Sequence, residues 1–183
     1  MKYTFEISVA GCATTCAHCY VSGGFAPAIN ADKFEAALVR LGAVIDGLGG
    51  DVAVTLGNEV FVHPRCLEIL DIAHKILPTQ TSYKNMGGGI PTTALALMKH
   101  RDGEAIVRKL AQMGCFAFDF SLLGGRDSHN KLVQNSGAYD CLRDFARWVT
   151  DLGLELGINL MVCKPLIAIL ASVVHLRAKN RRL

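Results

Sequence analysis

Long apolar runs are missing from this sequence. The longest, residues 166–174, is much shorter than the roughly 20 residues that a helix needs to cross a bilayer. The first residues, Met-Lys-Tyr-Thr-Phe-Glu, lack the apolar segment and the small-residue cleavage site of a secretion signal. The sequence therefore predicts a cytoplasmic protein with no membrane partner.

Charge is also scarce. Only 19% of the 183 residues are charged, and the formal net charge is +3. The basic residues at 177–182 form a short tail, which is typical of a solvated surface and gives no support for a nucleic-acid partner. Apolar residues make up 51% of the chain, which excludes a disordered protein and fits one globular domain over residues 1–183.

Disulfide bonds are not expected in a reducing compartment, although the sequence contains seven cysteines. Free thiols and a metal site are the alternative. Four cysteines are scattered and are predicted to act as small buried hydrophobes: Cys66, Cys115, Cys141 and Cys163.

The other three cysteines lie in one short loop, Gly-Cys-Ala-Thr-Thr-Cys-Ala-His-Cys-Tyr at residues 11–20. Cys12, Cys16 and Cys19 have the spacing C-x3-C-x2-C, which lets one loop place three sulfurs around a single inorganic centre. The loop contains no fourth cysteine. On a 4Fe-4S cluster this arrangement leaves one iron with an open position, and an open position is typical of a reactive metal site.

Two other interpretations of the loop are open at this point. Seven cysteines produce this spacing by chance in about one sequence in a hundred, and His18 could complete a zinc site. Zinc is the weaker chemical match, because His18 adjoins Cys19 and neighbouring residues rarely bind one ion without strain. The remaining histidines are isolated and are predicted to be structural or surface residues: His63, His74, His100, His129 and His175.

Strand-like and helix-like segments alternate along the whole chain, which is typical of a parallel α/β fold with crossover helices. The predicted strands cover residues 3–10, 51–56, 80–86, 115–121 and 154–162. The predicted helices cover residues 30–48, 64–77, 92–113 with a break near Asp102, 139–152 and 165–177, and residues 126–137 are predicted to be a polar loop.

Right-handed βα crossovers place the carboxyl ends of all strands on one face, where α/β proteins hold their active sites. The cysteine loop follows the first predicted strand, and residues 57–60 follow the second. Asn85 and Ser121 end the third and fourth predicted strands. These segments are therefore predicted to converge.

The cysteine loop resembles the signature of the radical S-adenosylmethionine (SAM) enzymes, including His18 before the third cysteine and Tyr20 after it. Gly57-Asn58-Glu59-Val60 resembles the Gly-Gly-Glu-Pro element of the same family, with Asn58 and Val60 as departures. A glycine lets the backbone approach a ligand closely, and a carboxylate accepts a charge-assisted hydrogen bond from an ammonium group.

The resemblance implies a role for each of these residues. Cys12, Cys16 and Cys19 would bind a 4Fe-4S cluster, whose open iron holds the amino and carboxylate groups of SAM. The residues implied to contact SAM are His18, Tyr20, Gly57, Asn58, Glu59, Asn85 and Ser121. Among them, Glu59 would meet the amino group and Ser121 the ribose or the carboxylate.

The implied activity is reductive cleavage of SAM to a 5′-deoxyadenosyl radical, which takes a hydrogen atom from a small-molecule or peptide substrate. A flavodoxin or ferredoxin would supply the electron. The implied fold is a partial (β/α) barrel, but only five βα units can be counted where the family usually has six. Either the chain is incomplete or a partner covers the edge of the fifth strand. The alternative function is a non-catalytic Fe-S or zinc module.

Overall fold

The structure is a computed structural model, and it describes residues 2–19, 23–57, 59–83 and 89–160. The strands in these ranges are β1 (Lys2–Ser8), β2 (Asp51–Gly57), β3 (Gly89–Pro91), β4 (Ala117–Leu122) and β5 (Glu155–Leu160). The helices are α1 (Ala31–Asp46), α2 (Cys66–Ile76), α3 (Leu95–Lys99), α4 (Gly103–Gln112), α5 (Arg126–Val133) and α6 (Ala138–Asp151), and a 3-10 turn covers Val60–Val62.

All strand pairs in the described part of the chain are parallel, which confirms the predicted α/β class. β1 pairs with β2, and β3, β4 and β5 form a second sheet in that order. The two sheets formed by the described residues do not close into a barrel. In β1 and β2 the register places Ser8 beside Gly57, so the two strands end together. The cysteine loop and the Glu59 segment therefore start at the same edge of the sheet.

The predicted third strand is placed wrongly. Residues 80–83 have no strand structure, residues 84–86 lie outside the described part, and β3 begins at Gly89. The physical reason is a turn that continues beyond α2: the backbone N–H and the hydroxyl of Thr81 both donate to the carbonyl of Leu77, at 2.9 and 2.7 Å. The segment still contacts β2, because Gln80 O accepts a hydrogen bond from Val54 N–H at 2.8 Å.

Two helix predictions are confirmed by local detail. The side chain of Asn30 caps α1 by accepting from the backbone N–H groups of Asp32 and Lys33 at 2.9 and 3.2 Å. The predicted break near Asp102 separates α3 from α4. The helix predicted over residues 165–177 lies outside the described part. None of the helices that the structure describes combines the length and the apolar character needed to cross a membrane.

The segment predicted to be a polar loop after β4 is partly wrong, because its first eight residues form α5 (Arg126–Val133). The helix buries His129 and Val133, which lie one turn apart on the same face. Its sequence is polar on average, so only these two positions mark its buried face.

The core lies between the sheets and the outer helices. Phe118 of β4 packs between Phe61 and Phe145, with ring centroids 6.3 and 5.2 Å away, and the contact with Phe145 is edge-on. Phe34 and Leu38 of α1 are fully buried in the same core cluster, which also includes Val54 of β2. The helices thus cover the outer faces of the strands and leave the inner faces for a cavity.

Candidate functional site

A cavity of about 530 Å³ lies at the carboxyl ends of the strands and receives residues from all five. It brings together segments that are far apart in the sequence, as the βα topology predicts. The predicted site residues that line it are Cys12, Cys16, His18, Cys19, Gly57, Glu59 and Ser121. The predictions for Tyr20, Asn58 and Asn85 lie outside the described residues.

The cysteine loop closes on itself through a hydrogen bond from Cys12 N–H to Gly24 O at 2.8 Å. Inside the loop, the hydroxyl of Thr14 lies 3.5 Å from Cys12 Sγ and 3.1 Å from Cys16 Sγ. The backbone N–H of Gly23 donates to Cys19 Sγ at 3.0 Å. The Thr14 hydroxyl has one proton, so it can donate to only one of its two sulfur neighbours at a time, of which Cys16 Sγ is the nearer. Cys19 Sγ has its own donor in Gly23 N–H.

The three thiols influence each other electrostatically. Burial raises the pKa of Cys16, the hydrogen bond from Thr14 lowers it, and the charges of Cys12 and Cys19 raise it again. All three are free cysteines, and none is fully buried. A bound cation would offset the repulsion that Cys12 and Cys19 exert on a Cys16 thiolate.

Burial is the main cause of the raised thiol pKa of two of the scattered cysteines. Burial raises the pKa of Cys66 to about 12 and that of Cys115 to about 11. Both are buried in the core, as predicted, and stay protonated at neutral pH. Cys141 is partly buried, and Cys163 lies outside the described residues. Among the described cysteines, only the three of the loop line the cavity.

Three observations bear on whether the loop fits an inorganic group. His18 Nδ1 is buried without a hydrogen-bond partner, next to Cys19 at the cavity wall. A Cβ atom on Gly23 would lie 3.1 Å from Cys19 Sγ, so the glycine keeps the space beside this sulfur open. Among the described residues, no three His, Cys, Asp or Glu side chains meet around a single ion. A cluster takes its thiolates on different irons, so its ligands need not meet at one point.

Glu59 lies two residues beyond β2 and is almost completely buried, with 2% of its surface exposed. Its Oε1 accepts from the hydroxyl of Thr92 at 2.7 Å, and its Oε2 accepts from the N–H and the hydroxyl of Thr93, both at 2.8 Å. Burial raises the pKa of Glu59, and the hydrogen bonds from the two threonines oppose this rise. The segment after β3 therefore fixes the carboxylate in place at the cavity wall.

Comparison with known protein families decides which family this site belongs to. The model of the radical SAM superfamily matches residues 7–165, which include the cysteine loop, Glu59 and all strands after β1. The chain belongs to the radical SAM superfamily. Members of this superfamily generally use a 4Fe-4S cluster and SAM. No curated protein matches the sequence.

Two further carboxylates of this radical SAM chain line the cavity and were not predicted as site residues. Glu6 of β1 lies across Gly57, where a Cβ would approach its Oε1 to 2.3 Å. Asp119 of β4 lies between two glycines of the neighbouring strands, Gly89 and Gly157. The sequence did contain a signal for Asp119, since a charged residue between Phe118 and Phe120 is unusual in a buried strand.

His129, which was predicted to be a structural or surface residue, also lines the cavity. The histidine is 4% exposed, lines the cavity from α5, and has Nδ1 3.4 Å from the N–H of Leu123. Burial and the nearby His18 lower its pKa, so its ring is neutral at pH 7. Nδ1 accepts from Leu123, which places the proton on Nε2 as a donor. Since the segment was predicted to be a loop, the spacing of His129 and Val133 was the one available signal.

Proposed function

We propose that this chain is a radical SAM enzyme in which Cys12, Cys16 and Cys19 hold a 4Fe-4S cluster and the adjoining cavity binds SAM. One observation carries the proposal: the three thiols and the Glu59 carboxylate line the same cavity at the carboxyl ends of β1 and β2. A structural metal loop would not need a cavity of this size beside its sulfurs.

Cys12, Cys16 and Cys19 would hold the cluster, which when bound would supply the electron for reductive cleavage of SAM. The loop residues tune that chemistry through the sulfurs. Gly23 N–H and the Thr14 hydroxyl donate to negatively charged sulfur, and such hydrogen bonds shift the reduction potential of Fe-S sites. His18 places a ring nitrogen beside the same wall.

Glu59 serves the amino group of SAM. Its threonine partners leave a lone pair on Oε1, which accepts one hydrogen bond and can take another. A buried carboxylate pairs strongly with an ammonium group, because little water competes. Gly57 has no side chain, so the backbone after β2 allows the ligand to come close. Ser121 adds a hydroxyl at the end of β4.

The remainder of the cavity receives the substrate, a small molecule or a peptide segment. Its inner wall carries the carboxylates of Glu6 and Asp119, and the described lining residues include no lysine or arginine. The electron comes from outside the chain, from a reductant of the flavodoxin or ferredoxin type.

Anaerobic reconstitution with iron and sulfide tests the proposal. We expect a reduced 4Fe-4S signal in electron paramagnetic resonance that changes shape when SAM is added, followed by release of 5′-deoxyadenosine under reducing conditions. A cluster whose signal ignores SAM would support a non-catalytic Fe-S module. A colourless chain holding one zinc per molecule would support a zinc module, and either result would refute the proposal.

Glu59→Gln is expected to weaken SAM binding while leaving the cluster in place. Glutamine keeps the size and an acceptor oxygen for Thr93, but it removes the negative charge that meets the ammonium group. A hydrogen bond to a charged partner contributes about 1.5–3 kcal/mol, so the Kd for SAM should rise about tenfold to a hundredfold. Titration of the cluster signal with SAM measures this change. An unchanged Kd would place the amino group elsewhere.

The same variant should alter how stability depends on pH. Because burial raises the pKa of Glu59, the folded chain holds this proton more tightly than the unfolded chain, whose glutamate has a pKa near 4.5. Stability should therefore fall as the pH rises from about 4.5 to the folded-state pKa. In Glu59→Gln this fall should be smaller, as measured by urea unfolding of the metal-free chain across that range. If the free energy of unfolding of the two proteins depended on pH in the same way, the buried position of Glu59 would be contradicted.

A further inference from the structure

The cysteine loop is bound to the end of α5, an element more than 100 residues away in the sequence. The hydroxyl of Thr15 donates to the side-chain oxygen of Gln134 at 2.8 Å, and the N–H of Ala17 donates to Leu132 O at 2.8 Å. These two bonds lie on either side of Cys16. They form a clamp, defined here as the pairs Thr15–Gln134 and Ala17–Leu132.

The hydrogen bonds that hold the loop around Cys16 differ from those near Cys12 and Cys19. Cys12 and Cys19 are anchored from within the loop, through Gly24 O and Gly23 N–H. Cys16 also has contacts inside the loop, with the Thr14 hydroxyl and through its carbonyl with Cys19 N–H, but the residues on both of its sides are held from outside. The clamp holds the side chain of Thr15 and the backbone N–H of Ala17. Cys16 also packs onto the small apolar cluster that includes Val133 and Leu123. The position of this sulfur therefore depends on α5.

The far side of the clamp is itself held firmly. Asn130 of α5 donates to Ser136 O at 2.6 Å and accepts from Tyr139 N–H at 2.8 Å, which joins α5 to the start of α6. Arg126 forms an ion pair with Asp140. Gln134 follows α5 in the left-handed conformation, with φ +58°, and its N–H donates to Lys131 O. The turn fixes the backbone position from which the exposed Gln134 side chain reaches Thr15.

We propose that Gln134 is a positioning residue for the metal centre, which holds Cys16 through Thr15 at the place where the cluster needs its thiolate. The proposal rests on the proposed function, since it names a residue that serves the same 4Fe-4S site. Because α5 also carries His129 and Val133 of the cavity wall, the clamp ties the cluster loop to the wall of the ligand cavity.

The first test uses the reconstituted chain. In Gln134→Ala the rate of iron loss to a ferrous chelator should increase about threefold to tenfold, as expected for one lost hydrogen bond. The reduced cluster should also give a broader paramagnetic resonance signal, because Cys16 samples more positions. Thr15→Val should behave in the same way, whereas Thr15→Ser keeps the hydroxyl and should restore the wild-type rate. Gln112→Ala, which changes an exposed glutamine on α4, is the matched control.

The double variant Thr15→Val/Gln134→Ala separates the clamp from a general loss of stability. The two changes break the same bond, so the double variant should lose iron no faster than either single variant. Additive effects would overturn the proposal, as would iron loss at the wild-type rate in Gln134→Ala.

A second measurement does not depend on the cluster. In the metal-free chain, Gln134→Ala should speed hydrogen exchange at the Ala17 amide by a similar factor, while the amides of α1 keep their wild-type rates. If exchange at Ala17 is faster in Gln134→Ala but the wild-type chain binds no iron, the clamp is supported and the proposed function is refuted. Normal iron binding with unchanged exchange and unchanged iron loss would refute the clamp alone.

Discussion

Cys16→Ala is expected to leave the reconstituted chain with almost no 4Fe-4S cluster. The loop supplies three thiolates and no fourth protein ligand, so removing one leaves two sulfurs for a cluster that already has an open iron. The remaining sulfurs, Cys12 and Cys19, are anchored at one end of the loop near Gly23 and Gly24. Iron and sulfide per chain, together with the visible absorbance of the cluster, measure the loss.

Cys115→Ala is the matched control for this variant. It also removes one thiol, but Cys115 lies in the core next to β4, and burial keeps its pKa near 11. The control should retain full iron content and lose only modest stability. Iron content that stays the same in Cys16→Ala, or falls equally in both variants, would contradict the assignment of the loop as the cluster site.

The cysteine loop could be recognised from the sequence because its features are local. The spacing of Cys12, Cys16 and Cys19 is a property of one short segment, and the alternation of β1 before it is visible in Tyr3, Phe5 and Ile7. The meeting of this loop with Glu59 was also predictable. It requires only that β1 and β2 be parallel with a crossover helix, and the handedness of that connection is nearly invariant.

The contribution of α5 could not be recognised in the same way. Its sequence, Arg-Asp-Ser-His-Asn-Lys-Leu-Val, has a polar composition that also suits a loop, and only tertiary contacts at its end and with α6 decide for a helix. The bond between Thr15 and Gln134 joins two exposed polar residues with no sequence pattern in common. Asp119 could be predicted only in part. Its charge is visible in the sequence, but its glycine neighbours Gly89 and Gly157 come from other strands.

Gly11→Ala is expected to prevent the cysteine loop from closing. A Cβ atom at this position would lie 2.2 Å from Gly24 O and 2.4 Å from Ala26 N, and both are backbone atoms. A side chain could rotate away from such a contact, but backbone atoms cannot, and Gly24 O is also held by the bond from Cys12 N–H. The two ends of the loop must therefore separate. Overpacking costs about 1–3 kcal/mol where side chains can adjust. Because backbone atoms cannot adjust in this way, we expect the free energy of unfolding to fall by about 3 kcal/mol or more.

The loss should appear in two measurements. The midpoint of urea unfolding of the metal-free chain should fall, and the reconstituted variant should hold little iron, because Cys12 moves away from Cys16 when the loop opens. Gly42→Ala is the matched control: its Cβ would meet only Leu77 Cδ2 at 3.6 Å, in the middle of α1. Alanine at a helical site should stabilise the chain by about 0.5–1 kcal/mol. Equal stability and equal iron content in both variants would mean that a Cβ at residue 11 does not meet the backbone of residue 24, and the proposed closure of the loop at its base would be wrong.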